Sequence, residues 1–337
     1  MTTGCDPAVT VVVPAFNAAA TLDETLRSVR AQSFRDLEIL IVDDGSRDET
    51  PEIALRHARA DPRLRLIQQQ NGGVAMARNR GIGEARAALV APVDADDLWH
   101  VSKIERQVQA MDAGGPRVAL VYTWFALIDE DSRIIGVNRS GAEGDVFPML
   151  CLRNIVGNGS SALMRRAAVL DAGGYDASLH AREAQGCEDY KLYLELAERH
   201  RFALVPAVLT GYRYTQSNMS SDQMQMLRSF DLVIGEFHRR HPERATEFRI
   251  ARNDFLRWSL GRALVCGQVR SAAKLAAEAM RFDATAGALT MLRVPAALSW
   301  RAAAPARGAV LARLSPSRLA YGRRFDIGCG GAPLNVG

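Results

Sequence analysis

Four short runs of β-branched and aliphatic residues, separated by helix-length amphipathic segments, constrain this chain more than any other feature. Val9–Val13 ends at Pro14, and Glu38–Val42 ends at Asp43-Asp44-Gly45-Ser46. Leu64–Gln68 precedes the turn Asn71-Gly72-Gly73, and Ala88–Val93 ends at Asp94-Ala95-Asp96-Asp97. Short apolar runs of this kind suit strands buried on both faces, as in a parallel sheet covered by helices. Between them, Thr21-Leu22-Asp23-Glu24 has the capping-box pattern, with Leu22, Leu26 and Val29 at helical spacing. Thr50-Pro51 supplies an N-cap and an N1 proline, and Val74–Arg86 has the length and composition of a helix. The alternation predicts a doubly wound, Rossmann-like α/β sheet with right-handed crossovers.

Further along, His100–Ala113 reads as a helix with Ile104, Val108 and Met111 on one face. Val118–Phe125 and Leu127–Val137 read as strands, the second with an acidic turn at Asp129-Glu130-Asp131, and Asn158–Met164 as another. Glu188–Arg199 is a helix with Leu192 and Leu196 inward, and Phe202–Val205 and Leu209–Tyr214 close the sheet. After about Ser220 strand signals give way to helical periodicity to roughly Leu314. Two domains are expected: 1–220 α/β, and 221–337 an all-α appendage with a basic tail. The tail from Ala284 onward holds seven arginines and one acid, whereas the whole chain has 42 basic and 38 acidic residues. The α/β part is therefore slightly acidic, which speaks against a nucleic-acid partner.

Five scattered cysteines without a C-x-x-C pair argue against a zinc site or a disulfide framework and fit a reducing compartment. No secretory signal and no membrane-spanning run is legible, so a cytoplasmic location is expected.

In doubly wound sheets ligands bind beyond the carboxyl ends of the strands, where Pro14-Ala15-Phe16-Asn17, Asp43-Asp44 and Asp94–Asp97 fall. Carboxylates as close as Asp94, Asp96 and Asp97 repel one another unless a hard cation neutralises them, and Mg²⁺ or Mn²⁺ suits that chemistry. Taken alone, the triplet reads first as a solvated acidic turn with helix-capping aspartates. Neither a G-x-G-x-x-G nor a P-loop follows the strands, which excludes the usual dinucleotide and ATPase sites. Asp43 could accept the imide N–H of a uracil, Asp94 could bind ribose hydroxyls, and a metal on Asp96 could bind a diphosphate. The plainer role for Asp43 and Asp44 is to cap the next helix. Cys187-Glu188-Asp189-Tyr190 opens an amphipathic helix, where carboxylates favour the dipole and one of the two could serve as a general base.

In order along the chain, Val11–Asn17, Val42–Asp48, Asn71–Gly81, Asp94–Trp99 and Lys103-Ile104-Glu105 resemble the motifs of family 2 glycosyltransferases. Gly173–Asp176, Cys187–Tyr190 and Gly211-Tyr212-Arg213 continue the likeness, which spans roughly residues 8–220. The resemblance implies a GT-A fold and transfer of a sugar from a nucleotide-sugar donor with inversion. It implies a nucleotide-sugar-binding half over 1–98 and an acceptor-binding half over 99–220. Pro14, Ala15, Phe16 and Asp43 would line the nucleoside pocket, Asp94 would lie near the ribose, and Asp96 would hold the metal. Gly73, Arg78 and Asn79 would shape the floor. Asp189 would be the catalytic base with Glu188 beside it, and Trp99, Gly174 and Tyr175 would face the acceptor, although Trp99 reads equally as a core residue.

The sequence departs from the family in two places. A histidine common after the Tyr-Arg pair is replaced, with Thr215 nearest to its role, and Lys191 stands where an acid is common. The Q-x-x-R-W signature of processive synthases is absent, which favours addition of one hexose-type sugar at a time. The partners expected are a nucleotide-sugar donor, preferably a UDP-sugar, and a glycan or lipid-linked acceptor in surface glycan or polysaccharide biosynthesis. Peripheral contact of the basic C-terminal helices with an anionic membrane face is a further expectation. Of the histidines, His57, His200, His238 and His241 read as solvent-facing, and His180 could touch an acceptor. Two alternatives compete. A sugar-nucleotide pyrophosphorylase would need a Gly-rich, basic loop where Pro14–Ala18 stands, and a non-catalytic nucleotide- or glycan-binding protein would have no use for both Asp96 and Asp189.

Overall fold

The computed structural model describes residues 6–215, 221–291 and 321–328. Its first half alternates β1 (Val9–Ala15), α1 (Leu22–Arg30), β2 (Leu37–Asp43), α2 (Thr50–Ala60), β3 (Leu64–Gln68), α3 (Val74–Glu84) and β4 (Leu89–Pro92). Then follow β5 (Leu98–Trp99), α4 (Lys103–Gly114), β6 (Val118–Ile128), β7 (Ile134–Asn138), α5 (Phe147–Leu152), β8 (Ala162–Arg165) and α6 (Arg166–Asp171). Next come α7 (Ser178–Ala181), α8 (Glu188–Ala197), β9 (Arg201–Arg213) and the helices α9 (Gln223–Arg240), α10 (Ala245–Val265), α11 (Val269–Phe282) and α12 (Ala284–Met291).

One sheet runs β3-β2-β1-β4-β8-β6-β9-β5, with β7 paired to β6. The four N-terminal strands are mutually parallel, β8 is antiparallel to β4 and β6, and β6 and β9 are parallel again. This is the expected α/β layout of GT-A type, mostly parallel in its first half and mixed in its second. Every residue of β1 and β2 is buried, but alternate side chains enter different layers. Val11, Val13, Ile39 and Ile41 pack with Leu22, Leu26 and Ile53, while Val12, Leu40 and Val42 pack with Ala77 and Ile82. Gly81 lets α3 approach the sheet closely, since a Cβ there would stand 2.4 Å from Val12 Cγ1.

Several local expectations differ from the structure for physical reasons. The capping box at Thr21 does not form: Thr21 Oγ1 donates to Ala95 O at 2.9 Å, and Glu24 is bonded by Arg213 and Ser132. The break between the two middle strands falls at the acidic turn, so β6 continues unbroken to Ile128. The predicted strand Asn158–Met164 begins with a 3₁₀ turn, Gly159–Ser161, capped by Asn158. The two last predicted strands are a single β9, whose pairing shifts between Val205 and Val208. Pro206 lies at that shift, and a bulge there spares the ladder a missing donor. His57 is buried, with its ring nitrogens bonded to Asp23 and Arg30, rather than solvent-facing.

The change to helices near residue 220 does not interrupt the core. Met226, Phe230, Val233, Ile234 and Phe237 of α9 join the cluster that contains Tyr190 and Leu194 of α8. Lys191 of α8 pairs with Glu236 of α9 (2.7 Å) and with Asp176 in the loop before α7 (2.8 Å), so it is neither solvated nor free for an acceptor. Residues 321–328 return to the sheet, where Phe325 packs with Leu98, Ala126, Ile128, Ile134 and Val208. The predicted helix to Leu314 is described as far as Met291, and most of the arginine-rich tail lies outside the described residues. Among those described, no helix is long and apolar enough to cross a membrane.

Candidate active site

The carboxyl ends of β1, β2 and β4 meet in one acidic recess. Asn17, at a left-handed φ of 48°, donates through its N–H to Ser46 Oγ (2.9 Å) and accepts Arg47 N–H on Oδ1 (2.9 Å). These bonds tie the Pro14–Asn17 loop to the Asp43–Ser46 loop. Pro14 and Ala15 are buried, whereas Phe16 is 50% exposed and presents a ring to the solvent side. Asp43 is buried and accepts from Ser46 N–H (3.1 Å) and Gln68 Nε2 (3.3 Å). Asp44 does not cap α2. Its carboxylate accepts from the N–H groups of Gly72 (2.9 Å) and Gly73 (2.8 Å), fixing the turn that opens α3. Gly73 has φ +87°, and a Cβ on it would stand 2.8 Å from Gln185 Nε2 and 3.1 Å from the His180 ring.

The Asp94–Asp97 loop is held from two sides. Ser160 Oγ accepts the Asp94 N–H at 3.0 Å and donates to Asp97 Oδ2, while Ser160 O accepts Trp99 Nε1–H at 2.8 Å. From the other side Arg213 donates its N–H to Asp97 Oδ1 (2.8 Å) and Nε–H to Asp96 O (2.7 Å). Asp97 is thus a buried, fully engaged brace, whereas the Asp96 carboxylate receives no hydrogen bond from another described residue. Burial first, then the neighbouring Asp94 charge, pushes the Asp96 carboxyl upward. An under-satisfied carboxylate beside a second one is a hard oxygen site and fits Mg²⁺ or Mn²⁺. Among the described residues no three His, Cys, Asp or Glu side chains cluster to hold a metal unaided, so ligand oxygens would complete the shell.

Trp99 is wholly buried, with Lys103 Nζ 4.0 Å above its ring, and so supports the loop from beneath instead of facing an acceptor. Tyr175 is also buried, and its hydroxyl has no partner among the described residues. It is fixed by Asn79, which accepts Tyr175 N–H (2.8 Å) and donates to Tyr175 O (2.7 Å). Gly174, at φ +72°, touches the same Asn79, so these two candidate acceptor residues serve as a wall of the recess.

Arg78 lies across that wall. Only 5% exposed, it donates to Asp94 Oδ1 and stands 5.1 Å from the Tyr175 ring centroid. Its ionisation is raised despite burial by the charges of Asp94, Tyr175 and Asp189. Glu188 and Asp189 lie near enough to Arg78 and Asp94 for their charges to interact, although 94 and 95 residues separate them from Asp94 in sequence. Burial pushes the Asp189 carboxyl up to about 6, partly offset by Arg78 and reinforced by Glu188. Glu188 is raised too, first by burial; its Oε2 accepts Gly186 N–H at 2.8 Å and its Oε1 is buried without a partner among the described residues. Ser160 and the guanidinium of Arg213 were not singled out from the sequence. Arg213 follows a Gly-Tyr pair that does stand out, but nothing local to Ser160 marks it.

A mixed α/β sheet with an acidic loop at its carboxyl edge, and a helix-borne acid of raised pKa nearby, is the arrangement expected of a GT-A type fold. Comparison with known proteins agrees. Residues 10–171 match the profile described as Glycosyl transferase family 2. TuaG of Bacillus subtilis (strain 168), a glycosyltransferase named for teichuronic acid biosynthesis, is 26% identical over 246 residues, 72% of this chain and 94% of TuaG. The succinoglycan biosynthesis protein ExoO of Rhizobium meliloti (strain 1021) is 42% identical over 115 residues, 34% of this chain and 32% of ExoO. Other curated relatives are matched over 24% to 39% of their length. Among solved structures, the mannosyltransferase PcManGT from Pyrobaculum calidifontis, in complex with GDP-Man and Mn²⁺, aligns with a TM-score of 0.54 at 20% identity, covering 88% of each chain. TarS of S. aureus aligns with a TM-score of 0.56 at 15% identity, covering 85% of this chain and 55% of TarS. The match over residues 10–171 and the curated relatives support a family 2 glycosyltransferase, and the solved structures share its fold.

Proposed function

We propose that this glycosyltransferase moves one sugar at a time, with inversion, from a UDP-sugar to an acceptor hydroxyl in surface glycan or polysaccharide assembly. The observation that carries the reading is the buried Arg78–Asp94 ion pair in the acidic loop, with Asp189 on α8 near enough for its charge to act on the same guanidinium. The names of TuaG and ExoO support the polysaccharide setting. A TarS structure with UDP-GlcNAc and the PcManGT complex with GDP-Man support a nucleotide-diphosphate donor. The donor half is assigned to 1–98 and the acceptor half to 99–220, with the helices from 221 onward as an appendage.

In this mechanism Asp43 receives the nucleobase N–H while Pro14, Ala15 and Phe16 line the nucleoside, over a floor shaped by Gly73, Arg78 and Asn79. Asp94 keeps one carboxylate oxygen on Arg78 and offers the other to ribose. Asp96 would hold Mg²⁺ or Mn²⁺, which when bound neutralises the donor diphosphate as it leaves. Asp189 takes the proton of the acceptor hydroxyl, for which a pKa near 6 suits a base working at neutral pH. Glu188 orients the acceptor beside it. Gly174, partly exposed, and the buried Tyr175 bound the space. A single base suffices because a nucleoside diphosphate leaves without general-acid help.

The test is nucleoside diphosphate release from a panel of UDP- and GDP-sugars with candidate acceptors, with and without EDTA. Loss of turnover with EDTA, in Asp96→Ala and in Asp189→Ala, is expected. Turnover that survives both substitutions overturns the assignment, and tight UDP binding without turnover under any condition favours a non-catalytic binding protein.

A further inference from the structure

Residues 321–328 lie outside the family match, yet they bracket the acidic loop. Gly322 N–H donates to Ile134 O (2.8 Å), Ile134 N–H to Arg323 O (2.8 Å) and Phe325 N–H to Ser132 O (2.7 Å). Arg324 Nε adds a bond to Asp131 O at 3.2 Å. The segment therefore clamps the turn between β6 and β7. That turn is what Arg213 grips, through Nη1 to Asp129 O (2.9 Å) and Glu130 O (3.0 Å) and through Nη2 to Ser132 Oγ (3.1 Å). The same guanidinium reaches Asp96 O, and the Arg213 backbone reaches Asp97.

Two further contacts fix the flanks. The buried Phe325 ring lies against Gly211, two residues before Arg213, where an added Cβ would stand 3.0 Å from the ring. Beyond the acidic loop, Val101 N–H donates to Ile327 O at 3.1 Å, and Gly328 packs against Val101. The segment thus touches the turn, the strand and the loop exit that together set where Asp96 and Asp97 stand.

We propose that residues 321–328 are a strap of the donor site and that Phe325 is a positioning residue, holding Gly211 and the Asp129–Arg133 turn so that Arg213 fixes the Asp96-Asp97 backbone. The proposal rests on reading Asp94–Asp97 as the donor-diphosphate loop. Its test uses the full chain carrying Phe325→Ala, with Phe325→Leu as the conservative variant and Phe325→Val should Ala not yield folded protein. In ligand-free protein, amide exchange across residues 94–101 rises about tenfold in the truncated variant, while exchange in β2 stays at the wild-type rate. Mn²⁺ affinity in the presence of UDP, read by electron paramagnetic resonance, falls about tenfold. Phe325→Leu restores both. A folded Phe325→Ala or Phe325→Val protein with wild-type exchange across 94–101 overturns the strap, whatever the site binds. A wild type that binds no Mn²⁺ with UDP overturns the donor-site reading instead, and with it the strap's assignment to that site.

Discussion

Arg78 and Asp94 form an ion pair in which the arginine is 5% exposed and the aspartate side chain 26%. The asymmetry matters: the cation is committed to the interior, while the carboxylate keeps an open side. A guanidinium enclosed in this way is stable only where negative charge surrounds it. Here the charge comes from β4 through Asp94 and from α8 through Asp189. A single side chain of α3 therefore joins the two segments to which donor and base are assigned.

Replacing Arg78 with Met leaves Asp94 without its cation and is expected to cost roughly 2–4 kcal/mol of stability, measured by chemical unfolding. It also removes a charge that holds the Asp189 carboxyl down. The acid limb of kcat/KM against pH therefore moves upward in Arg78→Met, while Arg78→Lys keeps it near the wild-type position. Identical limbs in all three proteins would show that Asp189 does not sense Arg78.

Asp189→Asn is expected to lower kcat by about 10²–10⁴ while making the fold more stable at neutral pH. The sign follows from burial, which raises the carboxyl from 3.8 to about 6. The folded chain holds this proton more tightly than the unfolded one, so Asp189 costs stability as pH rises between those values, and costs it fully above them. The amide removes that cost while its oxygen can still accept the Tyr190 N–H, which Asp189 Oδ1 now takes at 2.6 Å. Asn should gain roughly 1–3 kcal/mol at pH 7 and nothing at pH 3.5. An equal difference at both pH values, by denaturant titration, would contradict the linkage.

The N-terminal half of the fold was legible because β1 and β2 are buried on both faces and so carry nearly continuous apolar runs, interrupted only by Thr10 in Val9–Val13 and opened by Glu38 in Glu38–Val42. The acids at their ends were legible for the same reason, since a buried strand leaves few explanations for Asp43 or Asp94 at its exit. Long-range partners were not. Thr21 fits a capping box by spacing, yet its hydroxyl donates to Ala95 O and makes no capping bond to the helix. Pro206 reads as the end of a strand until β6 supplies a partner with room for a bulge. Residues 321–328 carry only one large buried aromatic, and nothing in so short a run says which part of the chain it will pack against. Ser160 was invisible because its value lies in two backbones that meet only after β4 and β8 pair.

Ser160→Ala tests that meeting. It takes the hydroxyl donor from the buried Asp97 carboxylate and the acceptor from Asp94 N–H. The loss should be about 1–3 kcal/mol in unfolding free energy, with a fall of about tenfold or more in Mn²⁺ affinity. Ser160→Thr, which retains the hydroxyl, should recover metal affinity wherever it folds. If Ser160→Ala binds Mn²⁺ as the wild type does, the loop is set by Arg213 without help from this side.

Trp99→Phe distinguishes the two roles open to that ring from the sequence. Its indole N–H donates to Ser160 O, and Lys103 Nζ, whose pKa burial pushes well down, sits 4.0 Å from the ring centroid and 2.7 Å from Gln107 Oε1. Gln107 in turn donates to Val121 O and Ser161 O, so tryptophan, lysine and glutamine form one polar plug beneath the acidic loop. Phenylalanine keeps most of the apolar volume but strands the Ser160 carbonyl, at a cost of roughly 1–3 kcal/mol. The acceptor KM should stay within about twofold of wild type, because a missing contact worth less than 0.5 kcal/mol moves a binding constant no further than that. An acceptor KM raised tenfold at unchanged stability would restore Trp99 to the acceptor surface and require a loop movement that exposes it.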